Sequence, residues 1–550
     1  MENLKVIVMN EEREIPKGMT LLDISKLYQE RFKYPIIIAK VNNQYMELNY
    51  KVDKPVDITF YDLTDRLGNR VYLSGLMFLL IYAVKDLFGT NENIKVEHSI
   101  DKGIYITTTF SLTQEKLTKI KEKMLEIVEK NFDITKLNVA RMDAIDYFER
   151  IKDKAKCGIM KYNTNTFVTL YRLGNLYNYF YNYMPTNTGG LSFFDLTYLD
   201  ESGFVLRFPT VYLHDKIKEY EHHSQMFEVF RECRSWAKVM KIENAVDLNE
   251  VVSKGKINNL IRIDETLQNH RLLEAAKDIF DQKDKIKVIL IAGPSSSGKT
   301  TTSNKLCMYL QSFGLNPKII SMDDYFVERE ETPKNEKGEY DFESLKAVNI
   351  DLFNEQVEKL LNHEKVLTPI YNFLLGMKQF KKELKLDDGD ILMIEGIHAL
   401  NTQILNNIPR ENKYKIYISA LTELNMDDHN RISTTDNRLL RRMIRDNRTR
   451  GYNVSDTLKN WPNVRQGEEV HIFPYQDEAD FIFNSALIYE LGVLKTYAEP
   501  LLYSVDSDSP YYEEAKRLIN FLRIFLPIPS DAIPQDSLLR EFIGGSCFHD

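Results

Sequence analysis

Residues 287–310 read KVILIAGPSSSGKTTTSNKLCMYL. Val288 to Ala292 is an apolar run of strand length that breaks at Gly293, and Gly298-Lys299-Thr300 opens a helix through Leu306 and Leu310. Gly293 to Thr300 match G-x-x-x-x-G-K-[ST] at every position. The spacing has a chemical reason. Glycines let the backbone curl until successive N–H groups face one centre, and the following helix adds its positive end, so the loop favours phosphate. Gly293, Pro294, Ser295, Ser296, Ser297, Gly298, Lys299, Thr300 and Thr301 are therefore the expected nucleotide cradle. Lys299 can reach the outer phosphates and the Thr300 hydroxyl can ligate Mg²⁺.

Outward from this loop, the 550 residues set a length prior of roughly three or four domains. The net charge of −9 argues against a nucleic-acid-binding polycation, though a local basic surface stays open. Cys157, Cys233, Cys307 and Cys547 are far apart and form no C-x-x-C pair, which points to a reducing compartment. The opening MENLKVIVMNEERE has no apolar signal core. Val71 to Val84 is apolar but falls short of the ~20 residues that span a bilayer, so it predicts a buried helix. The expected location is the cytoplasm, off the membrane.

Four segments are expected: 1–64, 65–215, 216–285 and 286–550. In the first, LKVIVM, IIIAKVN and VDITFYD read as strands and LLDISKLYQERF as a helix. In the second, Tyr177, Tyr179, Tyr181 and Tyr183 alternate with other residues, and on a strand they would share one face. Such a face could stack bases, but a strand packed on both sides is the favoured reading. His222-His223 reads as a solvated pair. The third segment, with MFEVFRECRSWAKVM and INNLIRIDETLQNHRLLEAAKDIF, predicts a helical connector.

After the phosphate loop, LNPKIISMDDYF predicts a second strand ending in Asp323 and Asp324. Strand ends are where ligands meet an α/β sheet. A carboxylate there can take the proton of an attacking hydroxyl; on extended backbone adjacent residues point opposite ways, so one of the two faces the substrate. Glu328 to Tyr340 reads as a polar loop. DDGDILMIEGIHAL gives another buried strand with Glu395 at its end, placed to hold a Mg²⁺ shell. Residues 431–450 carry Arg431, Arg438, Arg441, Arg442, Arg445, Arg448 and Arg450, several at helical spacings. Guanidinium forks suit polyphosphate, which predicts a lid; a solvated basic helix or a nucleic-acid patch is the rival.

GPSSSGKTT, SMDDYF, PIYNF, IEGI and RLLRRMIRDNRTRG, in that order over roughly residues 286–500, resemble the uridine kinase and phosphoribulokinase family. The resemblance implies a doubly wound α/β P-loop kinase using ATP and Mg²⁺. It implies Asp323 as base, Arg442, Arg445 and Arg450 around the transferring group, and Tyr371 and Phe373 against the nucleoside. It also implies Glu343 at the sugar. Departures are Gly376 where uridine kinases place a base-reading histidine, Phe326 for a tyrosine and Tyr452 for an arginine. Residues 1–64 resemble a TGS domain, a ubiquitin-like α+β module. Residues 65–215 resemble the α+β second domain of threonyl-tRNA synthetase, whose metal ligands would fall at Ser74, Phe78, Phe180 and Met184, none able to hold the metal.

The expected activity is transfer of the ATP γ-phosphate to an alcohol, a nucleoside 5′-OH before a sugar, sugar phosphate or polyol. An RNA- or ribosome-associated nucleotide switch is the third reading. Its RNA or protein partner would dock on the N-terminal modules, and the oligomeric state stays open.

Overall fold

The computed structural model describes residues 3–548 except 212, 214–215, 222–223, 336–337, 373–374 and 423. The His222-His223 pair and Phe373 therefore lie outside the described residues.

The kinase region is a five-stranded, wholly parallel sheet. Its elements in chain order are β1 (Val288–Ala292), α1 (Lys299–Ser312), β2 (Asn316–Ser321), α2 (Ile350–Leu361), the hairpin β3 (Val366–Asn372) and β4 (Met377–Leu384), β5 (Asp390–Glu395), β6 (Lys413–Ser419), α3 (Thr434–Thr449), α4 (Val454–His471) and β7 (Phe481–Asn484). The order across the sheet is β2-β5-β1-β6-β7. All five residues of β1 are buried, as expected of a central parallel strand covered by helices on both faces. The consequence is that the carboxyl ends of β1, β2 and β5 open side by side.

Residues 3–61 form a five-stranded sheet in the order Glu11–Pro16, Asn3–Val8, Asp57–Tyr61, Ile38–Val41, Gln44–Met46, with its central pair parallel. The helix beside it is shorter than its apolar pattern predicts. It ends at Lys26, leaving Leu27 exposed, because Gln29 bonds the Tyr34 carbonyl and the Ile36 N–H and turns the chain. Residues 66–207 add an antiparallel four-stranded sheet, an antiparallel three-stranded sheet and the helix Arg66–Phe88. That helix is long and apolar enough by length and composition to cross a membrane, and 67% of its most apolar window is buried inside the protein.

The tyrosine run is packed, as the favoured reading has it, but it is a strand only at its start. The strand ends at Asn178, and Tyr179 and Tyr181 pack against the kinase side while Tyr183 donates to Glu513 at 3.3 Å. The four phenols form no open face for stacking bases. Helices Ser224–Met240, Ala245–Ser253 and Ile257–Asp281 lead into β1.

Where the synthetase-like module would need metal ligands, apolar packing fills the place. The rings of Phe78 and Phe180 meet at 5.2 Å, and Phe78, Phe180 and Met184 are buried. Ser74 donates to the Arg70 carbonyl of its own helix at 3.0 Å. Among the described residues no group of three or more His, Cys, Asp or Glu side chains is set to hold a metal ion.

Candidate active site

The loop between β1 and α1 borders a cavity of about 960 Å³. Gly293 has no alternative residue: a Cβ there would lie 2.0 Å from the Ile418 carbonyl oxygen. Gly298 at φ +86° and Ser296 at φ +59° supply the left-handed turns that curl the loop. Lys299 folds back on its own loop, donating to the carbonyls of Gly293 at 3.0 Å and Pro294 at 3.3 Å.

Ser295 is gripped from three sides. Its N–H donates to Glu468 at 3.1 Å, its carbonyl accepts from Arg438 at 3.0 Å, and its hydroxyl accepts from Arg442 at 2.8 Å. Glu468 lies on α4, is fully buried, and pairs with Arg438 and Arg465. No motif pointed to Glu468; it sits far along the chain and only the fold brings it to the loop.

The two aspartates after β2 divide as expected, by a different geometry. They sit on a 3-10 turn, Met322–Tyr325, and not on extended backbone. Asp323 lines the cavity. Asp324 turns the other way and accepts the Tyr371 N–H at 3.1 Å, tying the turn to β3. Glu395, at the end of β5, accepts from the Ser321 hydroxyl at 2.7 Å. Burial, with Asp323 beside it, raises the Glu395 carboxyl well above the usual carboxylate range.

The arginine helix α3, expected as a lid, is held by ion pairs along its length. Asp436 pairs with Arg517 at 2.8 Å, Arg438 with Glu468, and Arg441 with Glu490, all buried or nearly so. Arg438 and Arg441 are thus core residues. Arg442, Arg445 and Arg450 line the cavity, collected by one buried carboxylate, Asp446, at 3.2, 2.7 and 3.7 Å. Arg445 crowds Arg450 and, with burial, pushes its pKa down to about 10. Arg442, Arg445 and Arg450, gathered on one aspartate, line the same cavity as Lys299, so guanidinium forks and an ammonium are available there to a polyphosphate.

At the other end the cavity is walled by rings. Phe326 lies 5.6 Å from Tyr371 and 6.1 Å from Phe342, and Tyr340 lies 6.1 Å from Phe342. Glu343 lines the same space with a buried Oε2 that has no hydrogen-bond partner among the described residues, and burial pushes its pKa up to about 7. Gly467 lets it approach, since a Cβ there would lie 2.2 Å from the Glu343 Cβ. At Gly376, φ +70°, the side chain of Arg329 fills the space, within 2.8 Å of where a Cβ would stand.

The cavity also tests the fit of ATP and Mg²⁺. A curled amide loop and four convergent cations suit a polyphosphate. Thr300, with Glu395 strained by burial beside Asp323, offers hard oxygen donors that a divalent cation would stabilise.

A parallel sheet with this loop at β1 and an acid at the end of the neighbouring strand is the arrangement of a P-loop nucleotide-binding domain. Residues 288–488 match the phosphoribulokinase / uridine kinase family, and they form a kinase domain of that family, whose loop implies ATP use. A uridine kinase of Anoxybacillus flavithermus is 26% identical over 196 residues, covering 36% of this chain and 84% of that protein. Toward the N-terminus the chain is similar to a threonine–tRNA ligase of Sulfurihydrogenibium sp., 27% identical over 173 residues, spanning 30% of this chain and 27% of the ligase. Among solved structures, D-glycerate 3-kinase from Cryptococcus neoformans var. grubii aligns with 48% of this chain and 89% of its own, at 14% identity and a TM-score of 0.21.

Proposed function

We propose that the protein is an ATP-dependent kinase that transfers the γ-phosphate to a hydroxyl, the 5′-OH of a uridine- or cytidine-like nucleoside. One observation carries the reading. A single cavity joins the phosphate loop and its cations to Asp323 and then to a recess of aromatic rings holding the Glu343 carboxylate, whose Oε2 has no hydrogen-bond partner among the described residues. Rings suit a flat base, and a carboxylate suits ribose hydroxyls.

In this mechanism Gly293–Thr301 hold the phosphates and Lys299 turns from its own carbonyls to the transferring group. Asp323 orients the acceptor hydroxyl and takes its proton as the oxygen attacks phosphorus. Arg442, Arg445 and Arg450 stabilise the charge that develops, and Tyr371, Phe373 and Glu343 hold the acceptor. Thr300 and, through water, Glu395 would hold Mg²⁺, which when bound would offset the phosphate charge. The proposed setting is the cytoplasm, in keeping with four cysteines none of which is in a disulfide.

A second reading, a non-nucleoside sugar, sugar phosphate or polyol as acceptor, is favoured by Arg329, whose guanidinium covers Gly376 at the ring-walled end. A panel of nucleosides, sugars, sugar phosphates and polyols, each offered with ATP and Mg²⁺ and read by ADP release, separates the two. Pyrimidine nucleosides should give the fastest turnover. Turnover confined to the other alcohols would overturn the nucleoside reading.

A further inference from the structure

The loop's last amide is already engaged. Glu541 Oε2 accepts both the Thr301 N–H, at 3.2 Å, and the Thr301 hydroxyl, at 2.8 Å. Glu541 lies on a one-turn helix, Arg540–Ile543, past the end of the family match at residue 488, and it lines the same cavity as Lys299 and Asp323. A carboxylate oxygen on these two donors stands where a phosphate oxygen of a bound nucleotide would seek the same hydrogen bonds.

The placement is built and held. Asp536, just upstream, pairs with Lys305 of α1 at 3.0 Å. Arg448 of α3 donates to the carbonyls of Glu541 at 2.9 Å and Phe542 at 3.2 Å. The Arg441 guanidinium lies 5.0 Å from the centre of the Phe542 ring, and Leu539 and Phe542 are fully buried. The C-terminal turn is thus fastened both to the helix that follows the phosphate loop and to the helix that presents Arg442, Arg445 and Arg450.

We propose that Glu541 is a residue of the nucleotide site that competes with phosphate for the Thr301 donors, so that nucleotide binds only as this carboxylate turns out. Two physical facts require the competition. One N–H cannot serve both oxygens at full strength, and two anions at one helix end repel. The seated carboxylate therefore lowers apparent nucleotide affinity by the fraction of molecules that hold it in place. Arg448 is bonded to the backbone carbonyls of the same turn, so a shift of the turn that accompanies the carboxylate's exit reaches the arginine helix and couples nucleotide entry to the cations that surround the transferring group. This inference rests on the ATP-binding reading above.

The test uses the full chain as wild type, Glu541→Gln and Glu541→Ala, titrated with Mg·ADP by calorimetry. Seating of Glu541 in four molecules of five predicts about fivefold tighter binding by Glu541→Ala, with Glu541→Gln, which keeps the shape without the charge, also tighter than wild type. In the wild type, Mg·ADP should raise amide exchange across residues 539–543. A merely structural Glu541 would lower the melting temperature of both variants without tightening ADP binding, and equal or weaker binding in both variants overturns the proposal. ADP binding by none of the three proteins would remove the nucleotide reading itself, a result distinct from equal binding by all three.

Discussion

Glu343 shows at the scale of one residue how the site opposes its own stability. Burial holds its pKa at about 7, above the ordinary value of 4.5. Between those values the folded chain keeps a proton that the unfolded chain has released, so the contribution to stability is full below the lower value and is lost as pH rises through the upper one. Glu343→Gln should therefore stabilise the protein at pH 8 by about 1–3 kcal/mol and change little near pH 4.5, while acceptor turnover falls; denaturant melts at both pH values check it. The residue was found only through a resemblance, since one acid in a polar stretch carries no signal of its own. Asp323 and Asp324 were legible as a pair, and Asp323 is the one that lines the cavity. The 3-10 turn that separates them, and the Tyr371 N–H that claims Asp324, depend on a strand far along the chain.

At the scale of an element, α3 carries two kinds of arginine that spacing alone cannot tell apart. Three- and four-residue steps place Arg438, Arg441, Arg442 and Arg445 near one another, yet only Arg442 and Arg445 reach the cavity. Arg438 and Arg441 are buried because Glu468 and Glu490 arrive from α4 and from the helix Glu490–Tyr503 to pair with them. Arg441→Gln strands a buried carboxylate and should cost about 3–5 kcal/mol in chemical denaturation. Asp446→Asn should behave differently: it releases three guanidiniums that it gathers, and should raise the KM for ATP about tenfold at a smaller cost in stability. Equal stability losses in the two variants would contradict this division. The phosphate loop itself needed no such context, because its strand, its glycines and its helix are contiguous in the chain.

At the scale of the molecule, the packing of the segments against one another was not legible in the sequence. One apolar core joins Phe148, Met160 and Leu170 of the synthetase-like module, Ala245 and Ile261 of the connector, and Leu440, Trp461 and Phe542 of the kinase part. Contacts between residues hundreds of positions apart leave no periodicity to read. A polar clasp accompanies that core: Lys156, fully buried, pairs with Asp153 at 2.9 Å and reaches Asp427 at 3.4 Å, in the segment that leads into α3. Residues 286–550 expressed alone would expose this face, so they should elute as aggregates in size-exclusion chromatography; a soluble monomer with full activity would show that the N-terminal modules are dispensable to the fold.

The same scale holds the central claim, that a loop of amides and an acid on the turn after β2 act together on ATP and an alcohol. Its most direct test is the rate at which the full chain phosphorylates its best acceptor, compared among wild type, Lys299→Ala, Asp323→Asn and Asp324→Asn. The account predicts losses on the order of 10²–10⁴-fold for Asp323→Asn, no measurable transfer by Lys299→Ala, and a far smaller loss for Asp324→Asn. Full turnover by Lys299→Ala, or a greater loss at Asp324 than at Asp323, would contradict it.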